Sequence, residues 1–409
     1  MTPEHHEGDE LRPSWQELGR QLLAKGAMTS DWTDTFADTP RMRFLPSVMW
    51  PYDQASEECV AVDRTADLDG WHRYACSDMA IITQWDDGTR TTPGTDMTSS
   101  SSMPSLVLSM LADLQVRPGH KVLEVGTGTG WNAALLAHRA GPGRVTTIEV
   151  DRVVAESARH ALRQAGIAVT VIHGDGLEGH LPAAPYDRLI ATCGLRTVPY
   201  AWVEQMRPGG VLLVPWGTHF TSTEATARLV VSGDGSSASG PFTQRVTFMR
   251  ARAQRLTVGD YDTYVTAEAR EGARKSRTTL PHSEVFGTTA WDANQFVLGL
   301  RLPDVVHTRG PEENGARPVW LLSSSDRSWA CVLFREDRAE FTVYQYGRRR
   351  LWDETEAAHT WWTEQGRPGF SSFGLTVDQA GQHVWLKEPG NRISQPARSS
   401  EGTLAESGA

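Results

Sequence analysis

Between Lys121 and Gly130 the chain reads K-V-L-E-V-G-T-G-T-G, an apolar run closing on glycines at alternate positions. A strand, such a turn and then a helix, here Trp131 to Ala140, bring backbone N–H groups and a helix N-terminus close to a bound nucleotide-like group, and glycine permits the approach. Gly126, Gly128 and Gly130 form the turn, Thr127 lies within it, and Glu124 stands two places ahead. A second apolar run, Arg144 to Ile148, ends in Glu149, followed by Val150. It lies about twenty residues past the glycines, where a carboxylate can accept both hydroxyls of a ribose. A third run, Val169 to Ile172, leads to Asp175, with Gly176 and Leu177 behind it. A carboxylate there is placed to meet an adenine amino group. Each carboxylate alone reads equally well as a solvated strand end. Their joint order and spacing favour a nucleotide-type site.

The elements that must position these residues alternate apolar runs with helical periodicity from Ser99 to about Arg252, with Tyr186 to Thr192 as a fourth strand and Val211 to Pro215 within a fifth. That alternation predicts an α/β fold: a doubly wound, mostly parallel, Rossmann-like sheet covered by helices. Residues 1–95 read as an N-terminal helical segment, 96–255 as the core and 256–390 as an added α+β region. Residues 391–409 read as a disordered tail of Ser, Glu, Gly and Ala. In the added region a helix is expected from Asp353, with Glu356 as capping-box partner, to Gly366, its Trp361 and Trp362 partly in the core. The 409 residues allow two or three domains, and the fifteen tryptophans leave aromatic surface for gripping a peptide.

Composition excludes some partners. A net charge of −10 and a pI near 5.7, with no basic stripe, argue against nucleic acid. Arg348-Arg349-Arg350 reads as a solvated face. The four cysteines are scattered, with no Cys-x-x-Cys pair, so neither a zinc site nor a disulfide framework is expected, and the pattern fits a reducing cytoplasm. The first ten residues are too polar for a secretory signal, and no apolar run approaches the roughly 20 residues that span a bilayer. The expectation is a cytoplasmic protein with no membrane partner and no metal.

The spacing G-x-G-x-G behind Glu124 resembles class I methyltransferases. Gly174-Asp175-Gly176, Ala184-Pro185-Tyr186-Asp187-Arg188, Val198-Pro199, Arg207-Pro208-Gly209-Gly210 and Ser102-Met103-Pro104 are similar to the protein L-isoaspartyl O-methyltransferase family. Pro40-Arg41-x-x-Phe44-x-Pro46 resembles its N-terminal segment. The likeness covers roughly residues 15 to 252. It extends to the subfamily encoded beside ATP-grasp ligases that make cross-linked peptides (graspetides), through Ile82-Thr83-Gln84, Ser99 to Ser102, Ala191 to Pro199, Leu351 to Glu354, Trp361-Trp362 and Phe373 to Thr376. The resemblance implies S-adenosyl-L-methionine as cofactor and S-adenosyl-L-homocysteine as product. It implies methylation of an aspartate in a modified precursor peptide, with a functional link to an ATP-grasp ligase. The ester then collapses to an aspartimide, which hydrolysis turns to isoaspartate. An ordinary repair enzyme would end near the close of the core, so the added region sets this chain apart. Repair of isoaspartate in damaged proteins is the alternative.

An aspartate has an unperturbed pKa near ~3.9, so the acceptor is already a nucleophile and the site needs no base. What it needs is a held oxygen and excluded water. A hydroxyl on the non-attacking oxygen would orient the acceptor. Ser102 is the first choice, with Ser101 and Thr98 in reserve and Ser100 and Thr192 as substrate contacts. The alternative is that the serine run caps the helix starting near Pro104. Arg196 either meets a peptide carboxylate or carbonyl, or sits in a surface ion pair. Cys193 has no evident basic partner and reads as a buried small residue. His72 and His173 read as structural or exposed.

Overall fold

The computed structural model describes residues 14–53, 56, 58–256, 261–289 and 291–394. The polar first ten residues and, from 395 on, the expected tail lie outside the described residues. The N-terminal block is not purely helical. Helices Trp15–Ala24, Thr33–Asp38 and Leu68–Ala75 sit beside an antiparallel sheet. Its strands are β1 (Val48–Asp53), β2 (Glu58–Cys59), β3 (Val62–Asp63), β4 (Ala80–Trp85) and β5 (Met97–Ser101), ordered β2-β1-β4-β5 with β3 on β1. Sequence pattern misses β5 because M-T-S-S-S carries no apolar alternation; its pairing with β4 makes it a strand. The serine run is thus mostly strand, and the hairpin β4–β5 crosses the boundary expected at residue 95.

The apolar runs of the core become β6 (Val122–Val125), β7 (Val145–Glu149), β8 (Thr170–His173), β9 (Tyr186–Ala191) and β10 (Met206–Trp216), continued by β11 (Glu224–Val231) and β12 (Ser237–Val246). Further along lie β13 (Arg274–Thr278), β14 (Val305–Arg309), β15 (Arg317–Ser323), β16 (Trp329–Phe334), β17 (Phe341–Tyr346), β18 (Phe373–Asp378) and β19 (Gly381–Leu386). The central sheet has nine strands, ordered β19-β18-β12-β11-β10-β9-β6-β7-β8. Strands β10, β9, β6, β7 and β8 are parallel, whereas every pairing from β10 out to β19 is antiparallel. The added region therefore extends the central sheet by two strands. Its remaining strands form a separate antiparallel sheet, β13-β17-β16-β15-β14.

Alternation along the parallel strands fills both faces. Leu123, Val125, Leu189 and Leu212 join one core cluster with Val285, Phe296, Trp352 and Leu386 of the added region. Val122, Ile190 and Leu213 join the other, with Trp15, Phe36, Leu108 and Trp131. Trp15 stacks on Phe36 at 4.1 Å between ring centroids. Two local expectations are corrected. Arg349 is buried, not solvated: its guanidinium donates to Glu354 at 2.6 and 3.1 Å and to Asp304 at 2.7 Å. The helix Leu351–Glu364 begins before Asp353 and has no side-chain cap; Asp353 instead accepts from Gln345 Nε2 at 2.7 Å. Trp362 is buried, and Trp361, half-buried, packs under the Arg301 guanidinium.

Candidate active site

The carboxyl ends of β6, β7 and β9 open on a cleft of about 410 Å³, a volume typical of small-molecule sites. Its floor is the glycine turn. Gly126, Gly128 and Gly130 hold φ of 97°, 52° and 88°, backbone that side-chain-bearing residues rarely adopt. A Cβ on Gly126 would meet Thr192 Oγ1 at 2.5 Å, and one on Gly128 would meet the Ser100 carbonyl oxygen at 3.2 Å. The turn is thus gripped between the end of β9 and the serine strand. Thr192 Oγ1 donates to the Gly126 carbonyl.

Glu149 lines the cleft at the end of β7. Its carboxylate accepts from Gly128 N at 3.0 Å and Asp151 N at 3.1 Å, leaving lone pairs for two further donors. Burial raises its pKa above the ordinary value against those bonds. Asp175 lines the cleft after β8, accepting from Leu177 N at 2.9 Å. Thr98, Ser100, Ser101, Ser102, Thr127, Val150, Gly176, Leu177 and Thr192 line the same cleft, so most of the expected site comes together.

Three expected residues do not line it. Glu124 is fully buried under the turn, accepting from Asn132 Nδ2 and Thr147 Oγ1, both at 2.6 Å. Thr147 Oγ1 lies 2.7 Å from Thr127 Oγ1. Glu124 thus shapes the glycine turn through its neighbours instead of touching a ligand, because β-strand alternation turns it away from the face that carries Leu123 and Val125. Burial pushes its carboxyl up to about 7. Gly130 caps the following helix and packs on Ala158 and Leu162. Arg196 is neither free nor at the surface: its side chain is 9% exposed and donates to the buried Glu224 at 2.6 Å.

The serines have distinct settings. Ser101 is 3% exposed, and its hydroxyl has no hydrogen-bond partner. The Ser102 carbonyl accepts from Arg41 Nη1 at 3.3 Å, and the buried Arg41 also donates to the carbonyls of Tyr74, Ala75, Ser77 and Met79. Thr98 Oγ1 donates to Gln84 Oε1 at 2.8 Å. None of these serines caps the next helix; Asp78 does so, accepting from Ser105 N at 2.9 Å. Cys193 is half-buried at the cleft wall, and burial, then Glu149, Glu224 and Asp175, push its thiol up to about 12. It stays protonated and is no nucleophile. His173 is exposed, and among the described residues no histidine lines the cleft.

A strap that sequence reading missed closes the cleft: Phe248 to Ala253 and Arg255, which line it after β12. Arg252 pairs with Asp87 at 2.9 Å and Asp151 at 3.2 Å, and Arg255 pairs with Asp87 at 2.8 Å. Asp151 also caps the helix Arg152–Gln164, accepting from Val153 N at 2.9 Å and Val154 N at 3.1 Å. The visible signal was Arg250, Arg252 and Arg255 packed closely together in an otherwise acidic chain.

The chain is similar to known proteins over the region that carries this cleft. The model of the protein-L-isoaspartate(D-aspartate) O-methyltransferase (PCMT) family covers residues 14–249, more than half of the chain. The chain belongs to this family. It is 45% identical over 119 residues to the protein-L-isoaspartate O-methyltransferase of Methanopyrus kandleri, covering 28% of this chain and 53% of that one. It is 46% identical over 116 residues to the same-named protein of Ignicoccus hospitalis, covering 28% and 55%. The chain thus spans about half the length of the relatives it matches. A solved protein-L-isoaspartate O-methyltransferase aligns with 92% of this chain and 100% of its own, at a TM-score of 0.52 and 21% identity. That likeness shows the fold, the class I methyltransferase architecture.

PCMT family membership implies S-adenosylmethionine, and the residues present fit it. The turn's glycines leave room for close approach, Glu149 keeps acceptor capacity for ribose hydroxyls, and Asp175 offers an acceptor at the next strand end. Among the described residues no helix is long and apolar enough to cross a membrane.

Proposed function

We propose that this chain is an S-adenosylmethionine-dependent carboxyl O-methyltransferase acting on an aspartyl-type side chain of a peptide. The observation that carries this reading is the pairing, in one cleft, of the nucleotide-type cradle with the serine strand and its buried, unpartnered Ser101 hydroxyl. Glu149 would hold the ribose and Asp175 the adenine amino group, while Gly126, Thr127 and Gly128 cradle the rest. The cofactor supplies a methyl group on a sulfonium. A carboxylate needs no proton removed, which suits a cleft with no histidine among the described residues and with a protonated Cys193. The chain's own work is positioning: Ser101 and Ser102 donate to the non-attacking carboxylate oxygen, Arg41 holds the Ser102 backbone, and the strap over the cleft keeps water out.

For the acceptor we favour an aspartate of a ring-containing, ribosomally made precursor peptide of the graspetide type, going on to aspartimide and, by hydrolysis, isoaspartate. The resemblance carried by Ala191 to Pro199 and by Leu351 to Glu354 supports this, as does the second sheet of the added region, which a general repair enzyme does not require. Twelve of the fifteen tryptophans are buried, so the expected aromatic gripping surface lends no support. Repair of isoaspartate in damaged proteins is the second reading, favoured by the names of the relatives. Labelled S-adenosylmethionine with an isoaspartyl hexapeptide on one side, and with a ligase-cyclised precursor peptide of the graspetide type on the other, separates them. The first reading expects the cyclised peptide to gain one CH2 or lose one water; efficient turnover of the hexapeptide alone favours repair. Label entering neither overturns both.

A further inference from the structure

Three arginines line the cleft, and they differ in one respect. Arg252 and Arg255 are committed to Asp87 and Asp151. Arg250 has no carboxylate within 4.0 Å among the described residues; its side-chain contact is with His219 Nδ1, at 3.4 Å. Burial, then Arg196 and Arg250, hold His219 down at about 4, so at neutral pH it is uncharged. The buried Arg196 is matched by Glu224. Glu224 acts on both guanidiniums but is within ion-pair distance of Arg196 alone, so Arg250 has no carboxylate in direct contact. A half-buried guanidinium without a directly bonded carboxylate keeps donors for an anionic ligand.

The backbone fixes that charge in place. Gly194 N donates to the Met249 carbonyl at 2.8 Å and Ala251 N donates to the Gly194 carbonyl at 3.0 Å, so Arg250 is held from both sides. Gly194 lies so close to the Glu224 carboxylate that a Cβ there would overlap it. Arg250 is therefore part of a rigid corner, not a surface arginine that happens to lean inward. The same cleft offers a second polar group without a partner, the buried Ser101 hydroxyl. A guanidinium with no carboxylate in ion-pair contact and a serine whose hydroxyl has no partner, both on residues that line one cleft, suit a small anion with two oxygens.

We propose that Arg250 binds the carboxylate of the acceptor side chain, with Ser101 as the hydroxyl that meets it, so that the cleft selects an acid over its amide. This rests on the carboxyl-methylating reading above and names the residue that would set its substrate class. The charge logic fixes which constant moves. Methyl transfer converts a carboxylate to a neutral ester, so an ion pair to Arg250 is strongest before the reaction and vanishes after it. Arg250 thus contributes to binding the acceptor and to releasing the product, and it does not lower the barrier of the chemical step.

The test uses the full chain saturated with S-adenosylhomocysteine and two pairs of hexapeptides. One pair carries a central aspartate or its amide, the other an isoaspartate or its amide, with affinities read by calorimetry. Wild type is expected to bind the acid of at least one pair about tenfold or more tighter than its amide. Arg250→Met should reduce that ratio to within about twofold, leave S-adenosylhomocysteine affinity unchanged, and in turnover raise KM about tenfold or more with kcat unchanged or raised. Arg250→Lys, which keeps the charge, should recover part of the ratio and guards against a folding defect. The inference is overturned by a wild type that does not prefer either acid, or by an Arg250→Met or Arg250→Ala protein that keeps wild-type discrimination. An Arg250-dependent preference for the acid in a chain that transfers no methyl would instead sink the methyltransferase reading alone. Methyl transfer with an unchanged KM in the variant would sink only the role of Arg250.

Discussion

Glu124, just before the glycine turn, and Glu149, at the end of β7, do different work, and burial separates them. Glu149 lines the cleft with two backbone N–H groups on its carboxylate. Glu149→Ala removes both acceptor oxygens for the turn and for a ribose. It should raise the Kd for S-adenosylhomocysteine at least about 30-fold, roughly 2 kcal/mol, by calorimetry. Glu124 lies sealed below, its carboxyl pushed up to about 7 by burial. A carboxyl raised in the folded state stabilises the fold fully below its unfolded value of 4.5. That contribution is lost as pH rises through about 7. In Glu124→Gln the Thr147–Thr127 hydroxyls can reverse their hydrogen bonds to suit the amide. Denaturant unfolding of the two proteins should therefore shift in the variant's favour by something like 2–3 kcal/mol between pH 4.5 and 7. A pH-independent difference would mean that Glu124 is already charged when folded.

The strap after β12 and the hairpin β4–β5 are joined across the cleft mainly through Asp87, which pairs with both Arg252 and Arg255. All three side chains are about a third exposed, so the pairs add little stability, under about 1 kcal/mol. Their expected consequence is kinetic: with a ligand in the cleft they would hold the two elements together beside it. Asp87→Ala should change the melting temperature by no more than about 2 °C while speeding S-adenosylhomocysteine dissociation about three- to tenfold in stopped-flow fluorescence. An unchanged dissociation rate would show that the strap is held by its backbone bonds to Gly194 instead. The serine strand belongs to the same level of organisation. Its sequence carries hydroxyls and no alternation, so it was legible as chemistry and illegible as β-structure, which only its pairing with β4 supplied.

At the scale of the whole molecule, the added C-terminal region is joined to the core. β18 pairs with β12 from Ser237↔Asp378 to Pro241↔Gly374, and one apolar cluster runs from Leu123 to Leu386. A chain ended after residue 256 would leave the β12 edge unpaired and strip one face of its cover. We expect it to aggregate or to lose cooperative unfolding, and the full chain to unfold in a single calorimetric transition. Two separated transitions in the full chain would contradict this.

By itself the sequence determined the parallel half of the central sheet, the glycine turn and the carboxylates Glu149 and Asp175, because strand period, glycine conformation and spacing are local properties. It also carried the family, through motifs that are contiguous. Tertiary structure decided the rest. It sent Glu124 beneath the turn by alternation, buried Arg196 against Glu224, and brought Arg41 to the Ser102 carbonyl across sixty-one positions. It also carried Arg250 to the cleft wall beside Gly194. Those are encounters between distant segments, and whether a charge is paired, buried or waiting for a partner depends on what the fold places beside it.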